Sequence, residues 1–372
     1  MSVRAAWAEI DTGAIADNAR TLAAVVAPAE LCAVVKAYGY GHGPAPVAEA
    51  ALRGGATWLA VALVEEGEAL RRAGITAPIL VLSEPRSSAM TAVVQADLRP
   101  ALYTLAGVAA AAKVAEGLGS PLAVHVKVDT GMHRVGADPV AAVEVAEAVH
   151  HSVDLRLEGL WTHLAVADEP ARAADTAGQL DRFAGVLAVL SERGIRPDVV
   201  HAANSAGAIA FPPARLDLVR CGIALYGLAP SLELSGAIDL RPALSLKSEV
   251  SFVKPLASGE AVSYGLRWWT NRDTVLATIP IGYADGVPRS YGSRGGEVLL
   301  DGRRCAVVGN VTMDQLLVDC GPGATVEAGD ECVLIGRQGD DEVTAWEWAT
   351  RMGTIAYEVV CGISARVPRI WV

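Results

Sequence analysis

Up to about residue 230, short apolar runs alternate with stretches of helical period, eight times over. The runs lie in "ELCAVVKA", "TWLAVAL", "PILVLS", "LRPALYT", "LAVHVKVDTG", "LRLEGLWTHL", "VVHAANS" and "LVRCGIALYG". Each is short for a helix and predominantly apolar, as suits a parallel strand covered on both faces. Between them, segments such as "VEEGEALRRAG" carry apolar residues at helical spacing. Eight β–α units in sequence predict an α/β fold opening with a (β/α)8 TIM barrel rather than an open sheet.

The period changes after "APSLELSGAIDLRPAL". From Leu244 onward the chain reads as short alternating strands between glycine and aspartate turns, among them "SLKSEVSFVKPL", "TVLATIPIGYADG" and "ECVLIG". One helix interrupts them at "TAWEWATRMG", with Thr344 and Glu347 spaced as a capping box and Gly353 as its terminator. The expected domains are therefore residues 1–235, the barrel, and 236–372, a mainly β domain.

Bulk properties narrow the function classes. A formal net charge of −11 over 372 residues argues against a nucleic-acid partner held by phosphate contacts. No apolar run is long enough to span a bilayer, so no membrane partner is expected. The start "MSVRAAWAEID" has no signal-peptide core, which makes the cytosol the expected compartment. Six cysteines without a C-x-x-C pair predict reduced thiols and no metal site. The chain has only five lysines, and Lys36 and Lys127 both sit on apolar strands.

In a barrel, chemistry gathers at the C-terminal ends of the strands. There the sequence offers Lys36 with Tyr40, then Lys127, Asp129 and Arg134, then His163, Asn204 with Ser205, and Arg220 followed by Gly222 and Ile223. Taken singly, each has an ordinary structural reading: a solvated strand cap for Lys36, an ion pair for Lys127 and Asp129, a structural histidine for His163. Their shared position at one mouth favours function. Ser205 at a helix start and amides at Gly222 and Ile223 suit a phosphate. An amine facing an anchored phosphate suggests a Schiff base with pyridoxal phosphate, and a sugar-phosphate aldolase shares both features. A dinucleotide site read from Gly39, Gly41 and Gly43 fails because Pro44 stands where the last glycine belongs.

Along its whole length the chain resembles the alanine racemases, fold-type III pyridoxal phosphate enzymes. The resemblance rests on "WAEID", "AVVKAYGYGHG", "KVDTGMHRVG", "GLWTHLA", "NSAG", "RCGIALYG", "AVSYG", "IGYADGVPR", "GNVTMDQ" and "GTIAYEVVCGISARVPR", in this order. It implies a racemase interconverting L- and D-alanine for peptidoglycan, with Lys36 carrying the cofactor and acting as one base. Tyr264 would be the opposing base, reaching over from the partner of a homodimer. Tyr40, Ser205, Gly222, Ile223 and Tyr357 would hold the phosphate, and His163 would link Arg220 to Tyr264. Arg134 and the Met313 amide would bind the substrate carboxylate. Lys127 matches a lysine carbamylated in some members. Asp168, Tyr283 and Arg289 would line the access corridor, where Asn310 stands in place of an arginine found in some relatives. By the same resemblance, lysine serves D-alanine and tyrosine L-alanine.

Physical chemistry bears on two of these roles. A phenol has an unperturbed pKa of about 10, so Tyr264 needs a stabilised anion to act as a base. The resemblance also implies that Arg220 faces the cofactor's pyridine nitrogen; a guanidinium, with a pKa above ~12, would not protonate it. Arg220 also disfavours a fold-type III decarboxylase, whose partner group at that nitrogen is acidic. The β domain disfavours a non-enzymatic, barrel-only cofactor-binding protein. Racemisation of another small amino acid such as serine stays open.

Overall fold

The computed structural model describes residues 4–372. Two compact units divide it: one holds residues 13–39 and 44–241; the other holds the described residues up to Thr12, residues 40–43 and residues 242–372. The barrel is thus not the continuous stretch 1–235 expected from the sequence. The N-terminal strand β1 (Ala6–Ile10) pairs antiparallel with residues 244–248 and parallel with residues 369–371. Its residues explain why. Ala6, Ala8 and Ile10 are buried while Trp7 and Glu9 between them are half-buried, the period-two pattern of a sheet covered on one face.

The barrel strands follow as β2 (Glu30–Val34), β3 (Trp58–Val61), β4 (Ile79–Val81), β5 (Arg99–Leu102), β6 (Leu122–Lys127), β7 (Leu155–Trp161), β8 (Val199–His201) and β9 (Leu218–Cys221). All neighbours are parallel, in the order β8-β7-β6-β5-β4-β3-β2-β9. The two ends of this order meet where Asp217 N–H donates to Val200 O and Arg220 N–H to Ala203 O, each at 3.0 Å. Burial is continuous along β3, β4, β6 and β9, as expected of strands with a packed interior and covering helices.

The second unit is built on β10 (Leu244–Glu249), β11 (Phe252–Leu256), β12 (Ala261–Val262), β13 (Trp268–Trp269), β14 (Thr274–Ile279), β15 (Glu297–Leu300), β16 (Arg303–Val308), β17 (Leu316–Gly321), β18 (Glu331–Gln338), β19 (Asp341–Val343) and β20 (Arg369–Trp371). Most belong to one sheet, ordered β11-β14-β17-β16-β15-β18-β10-β1-β20, with β19 beside β18. The short hairpin β12–β13 stands apart and pairs only with itself. The helix Ala345–Met352 starts with the expected box: Thr344 Oγ1 accepts from Glu347 N–H at 3.0 Å, and Glu347 Oε2 accepts from Thr344 N–H at 2.9 Å. Gly353 ends it with a left-handed φ of 71°. A second helix, Ala356–Gly362, was not anticipated; "AYEVVCG" has too few residues to show a period.

Candidate active site

Lys36 lies two residues beyond β2, whose last carbonyl, Val34 O, accepts from Tyr226 Oη at 3.0 Å. The chain then makes a left-handed turn: φ is 53° at Ala37, 56° at Tyr38, 60° at Gly39 and 50° at Tyr40. For residues bearing a Cβ this conformation costs ~1–2 kcal/mol each. Glu66, at the start of the helix Val64–Arg72, holds the turn. Its Oε1 accepts from Ala37 N–H at 2.7 Å, and its Oε2 accepts from Ala62 and Leu63 N–H at 2.9 and 3.1 Å. The lysine is therefore mounted on a braced turn, sharper than three glycines alone suggested.

The parallel register aligns Lys127, Trp161 and His201 in one lateral row across β6, β7 and β8. The His201 ring stacks on Trp161 at 5.5 Å, and both Lys127 Nζ and the Arg220 guanidinium lie over that indole, at 4.4 and 4.5 Å from its centroid. Such cation–π contacts partly offset the loss of water around the two buried cations. Arg220 donates to His201 Nδ1 at 2.8 Å, to Thr162 O at 2.8 Å and to Ala202 O at 3.0 Å, and its Nη2 stands 3.3 Å from His163 Nδ1. None of these partners is a carboxylate.

This environment is strongly cationic. Burial, then Arg220, Arg134 and Lys36, press the Lys127 amine down to about 7, with Asp129 opposing. Burial and the same cations hold His163 well below its ordinary range, and burial with Arg220 and His125 does so for His201. Both imidazoles are neutral at pH 7, so each presents one donor and one acceptor. The ion pair that is the ordinary structural reading of Lys127 and Asp129 does not form. Asp129 Oδ1 instead accepts from Gly131 and His133 N–H, each at 3.0 Å, and Oδ2 faces the His133 ring at 3.3 Å. Burial favours the neutral Asp129 carboxyl, but these donors prevail and hold its pKa below the usual range.

Beyond β8, Asn204 caps the helix Ser205–Ala210, its Oδ1 accepting from Gly207 N–H at 2.9 Å. Ser205 is the first helical residue, and its Oγ accepts from Gly222 N–H at 2.9 Å and Ala224 N–H at 3.4 Å. The Gly222 amide, expected to meet a phosphate, is thus engaged by Ser205. Two amides converge on one oxygen, the donor arrangement that an anion's oxygen also uses.

In the β unit, the rings of Tyr40 and Tyr357 lie 6.3 Å apart. Tyr264 sits between β12 and β13 and is 72% exposed. The corridor and substrate residues expected on this unit come together along their backbones. Tyr283 N–H donates to Thr312 O at 2.9 Å, Ala284 N–H to Met313 O at 3.0 Å, and Val311 N–H to Arg289 O at 3.2 Å. Gly282 is needed there, since a Cβ would fall 2.4 Å from the carbonyl oxygens of Thr312 and Met313. Asp168 lies in the barrel unit, where its carbonyl accepts from Ser231 Oγ at 2.7 Å.

Residues 10–230 match the family description "Alanine racemase, N-terminal domain" and residues 243–371 match "Alanine racemase, C-terminal domain". The chain belongs to the alanine racemase family. Among its relatives, an alanine racemase from Symbiobacterium thermophilum is 48% identical over 371 residues, 99% of this chain and 97% of that protein. The solved alanine racemase from Streptomyces coelicolor A3(2) superposes with a TM-score of 0.95 at 41% identity, covering all of this chain and 98% of the other. A histidine racemase from Leuconostoc mesenteroides shares the fold at a TM-score of 0.91 and 30% identity, covering 100% and 99%.

Several residues of this racemase-family site went unremarked in the sequence. His201 was one of them, although it lies in a strand read correctly. Gln179, buried on the helix Ala173–Glu192, donates to His163 O at 3.1 Å and accepts from Ala165 N–H at 2.8 Å, fixing the loop that carries His163. His125 joins His201 at 2.9 Å and Glu158 at 3.2 Å inside the barrel. A polar residue within an otherwise apolar strand was the available signal for His125 and His201; Gln179 and Glu66 carried none.

Proposed function

We propose that the protein is a pyridoxal phosphate-dependent racemase that interconverts L- and D-alanine by a two-base mechanism, in the cytosol, and supplies D-alanine for peptidoglycan. The observation that carries this reading is the Arg220 environment: a buried guanidinium bonded to neutral imidazoles and carbonyls, beside a lysine at the barrel mouth. Convergent amides at Ser205 and the cations Lys36, Arg134 and Arg220 around Lys127 suit a phosphate and a substrate carboxylate.

When bound through Lys36, the cofactor supplies a conjugated ring system that spreads negative charge from the substrate Cα. The chain's own residues do the rest. By the family resemblance Ser205, Gly222 and Ile223 on the barrel unit, with Tyr40 and Tyr357 on the β unit, would hold the phosphate. By the same resemblance Arg220 would face the ring nitrogen and, being a poor acid, would not protonate it. Arg134 and the Met313 amide hold the carboxylate. The Lys36 amine takes or returns the proton on one face, and the Tyr264 phenol does so on the other. Tyr264 is donated by the second subunit of a homodimer, and His163 links it to Arg220. Asp168, Tyr283 and Arg289 line the access corridor. A Lys127 amine with a pKa of about 7 is roughly half free base at neutral pH, and that form would add carbon dioxide and release a proton to give a carbamate anion facing Arg134.

The test is the optical rotation of L-alanine solutions incubated with the cofactor-loaded protein. Wild type should bring rotation to zero, and Lys36→Ala and Tyr264→Phe should each slow the approach ~100-fold or more. L-serine and L-histidine run in parallel test the other substrates. Rotation that persists with wild type, or faster decay with serine or histidine, would overturn the assignment.

A further inference from the structure

Tyr264 sits at the end of the hairpin β12–β13, whose strands are two residues each, too short to be stable alone. Its turn is also strained. Ser263, Gly265 and Leu266 have φ of 63°, 81° and 46°, and two of these carry side chains in the left-handed region. Val262 anchors the base of the hairpin against Leu276 and Val308. That contact holds the hairpin at Val262, before the strained turn begins at Ser263.

The turn is clasped from β16 and the loop after it. Asn310 Nδ2 donates to the Tyr264 carbonyl at 2.7 Å, and Ser263 Oγ donates back to the Asn310 carbonyl at 2.6 Å. Asn310 is 7% exposed although Tyr264 is 72% exposed, so its amide works in a dry place beneath a wet one. A carbonyl only accepts, so the nitrogen of the Asn310 amide must face it. Gly309 brings the two backbones together: its φ is 69°, and a Cβ there would lie 2.6 Å from Ser263 Cβ. The same loop continues into Val311, Thr312 and Met313, which bond to the backbone of the 283–289 segment. One buried side chain therefore ties the phenol-bearing turn to the loop of Met313.

We infer that Asn310 is a positioning residue for Tyr264, holding the turn so that the phenol meets the face of the substrate opposite Lys36. The inference rests on the role proposed above for Tyr264. Asn310 itself touches no reacting atom. Arginine, which some relatives carry at this position, would bring a different donor set and a charge.

The consequence is one-sided. Loss of the clasp should impair proton transfer on the tyrosine face and spare the lysine face. Asn310→Asp keeps the volume but sets a carboxylate against the Tyr264 carbonyl, so it should be worse than Asn310→Ala. In deuterated water, exchange of the L-alanine α-hydrogen, followed by NMR, should fall roughly 10- to 100-fold in Asn310→Asp. Exchange of D-alanine with retention, which needs only the lysine, should stay within about twofold. In a Tyr264→Phe background the Asn310 substitution should add almost nothing. A readout independent of chemistry is amide hydrogen exchange in the full chain, which should quicken in the peptide covering residues 262–266 and not elsewhere. Ser263→Ala, removing the reciprocal bond, should reproduce the pattern more weakly and serves if Asn310→Asp does not fold.

Equal slowing of both enantiomers, or losses in the Tyr264→Phe background as large as in wild type, would overturn the inference and make Asn310 a general structural residue. If Tyr264→Phe itself leaves L-alanine exchange intact, the proposed role of Tyr264 fails and the inference falls with it. If Tyr264→Phe abolishes that exchange and Asn310→Asp does not alter it, only the inference fails.

Discussion

Lys127 shows how one residue couples the site to the stability of its barrel. It is buried, lies over the Trp161 indole, and shares that ring with Arg220. Burial and the neighbouring cations bring its amine from 10.5 in the unfolded chain to about 7 in the folded one. Between these values the unfolded chain holds a proton that the folded one lacks, so stability rises with pH across that window. Below pH about 7 the folded protein must keep a desolvated ammonium among cations. Denaturant titrations in carbon dioxide-free buffer should therefore show Lys127→Met more stable than wild type on the acid side, by on the order of a few kcal/mol, and less dependent on pH. Bicarbonate should stabilise wild type and not Lys127→Met, because only the lysine can become an anion facing Arg220 and Arg134. A flat difference between the two proteins across pH would contradict this description of Lys127. Residues of this kind were visible in the sequence as chemistry out of place, an amine on an apolar strand. Gln179 and Glu66 were not, because an amide or a carboxylate on a helix looks the same whether it faces water or clamps a loop.

At the scale of elements, sequence legibility followed burial pattern. All eight barrel strands were readable because runs such as "LAVHVK" are buried along their length and bounded by turn residues. A single boundary at residue 235 assigns β1 to the barrel, although its alternating burial fits the other sheet, which is where it pairs. The helix Ala345–Met352 was legible from its ends, since its cap and terminator each have one chemical signature. Its stability should depend on them: Thr344→Ala should cost ~1 kcal/mol in a denaturation experiment, with Thr344→Ser close to neutral. A Thr344→Ala protein as stable as wild type would mean that burial of Trp348, which donates to Leu334 O at 3.1 Å, holds the helix without its cap. The left-handed turn after Lys36 was only half legible. Glycines announced a turn, but the left-handed φ values at Ala37, Tyr38 and Tyr40 depend on contacts such as that with Glu66, distant in sequence.

For the whole molecule, the proposed two-base reaction needs a second copy of the chain. Lys36 and Tyr264 belong to different compact units of the chain, and the two-base reading takes the phenol from a second subunit. The family resemblance carried that expectation; composition and period had no access to it, since a surface shared between copies is encoded by exposed residues that look like any others. Tyr264, Leu266, Trp269 and Met313 are all exposed apolar or aromatic side chains on the β unit, in keeping with a surface that a second copy covers. The most direct test of the shared site is subunit mixing. Lys36→Ala and Tyr264→Phe proteins, each nearly inactive, are dissociated, combined in equal amounts, reassembled and assayed with L-alanine. Half of the dimers should be hybrids, each with one site holding both native residues, so roughly a quarter of wild-type activity should return. If hybrids form, as shown by differently tagged subunits purifying together, and activity stays at the level of the separate variants, the phenol does not come from the partner and the two-base arrangement proposed here is wrong.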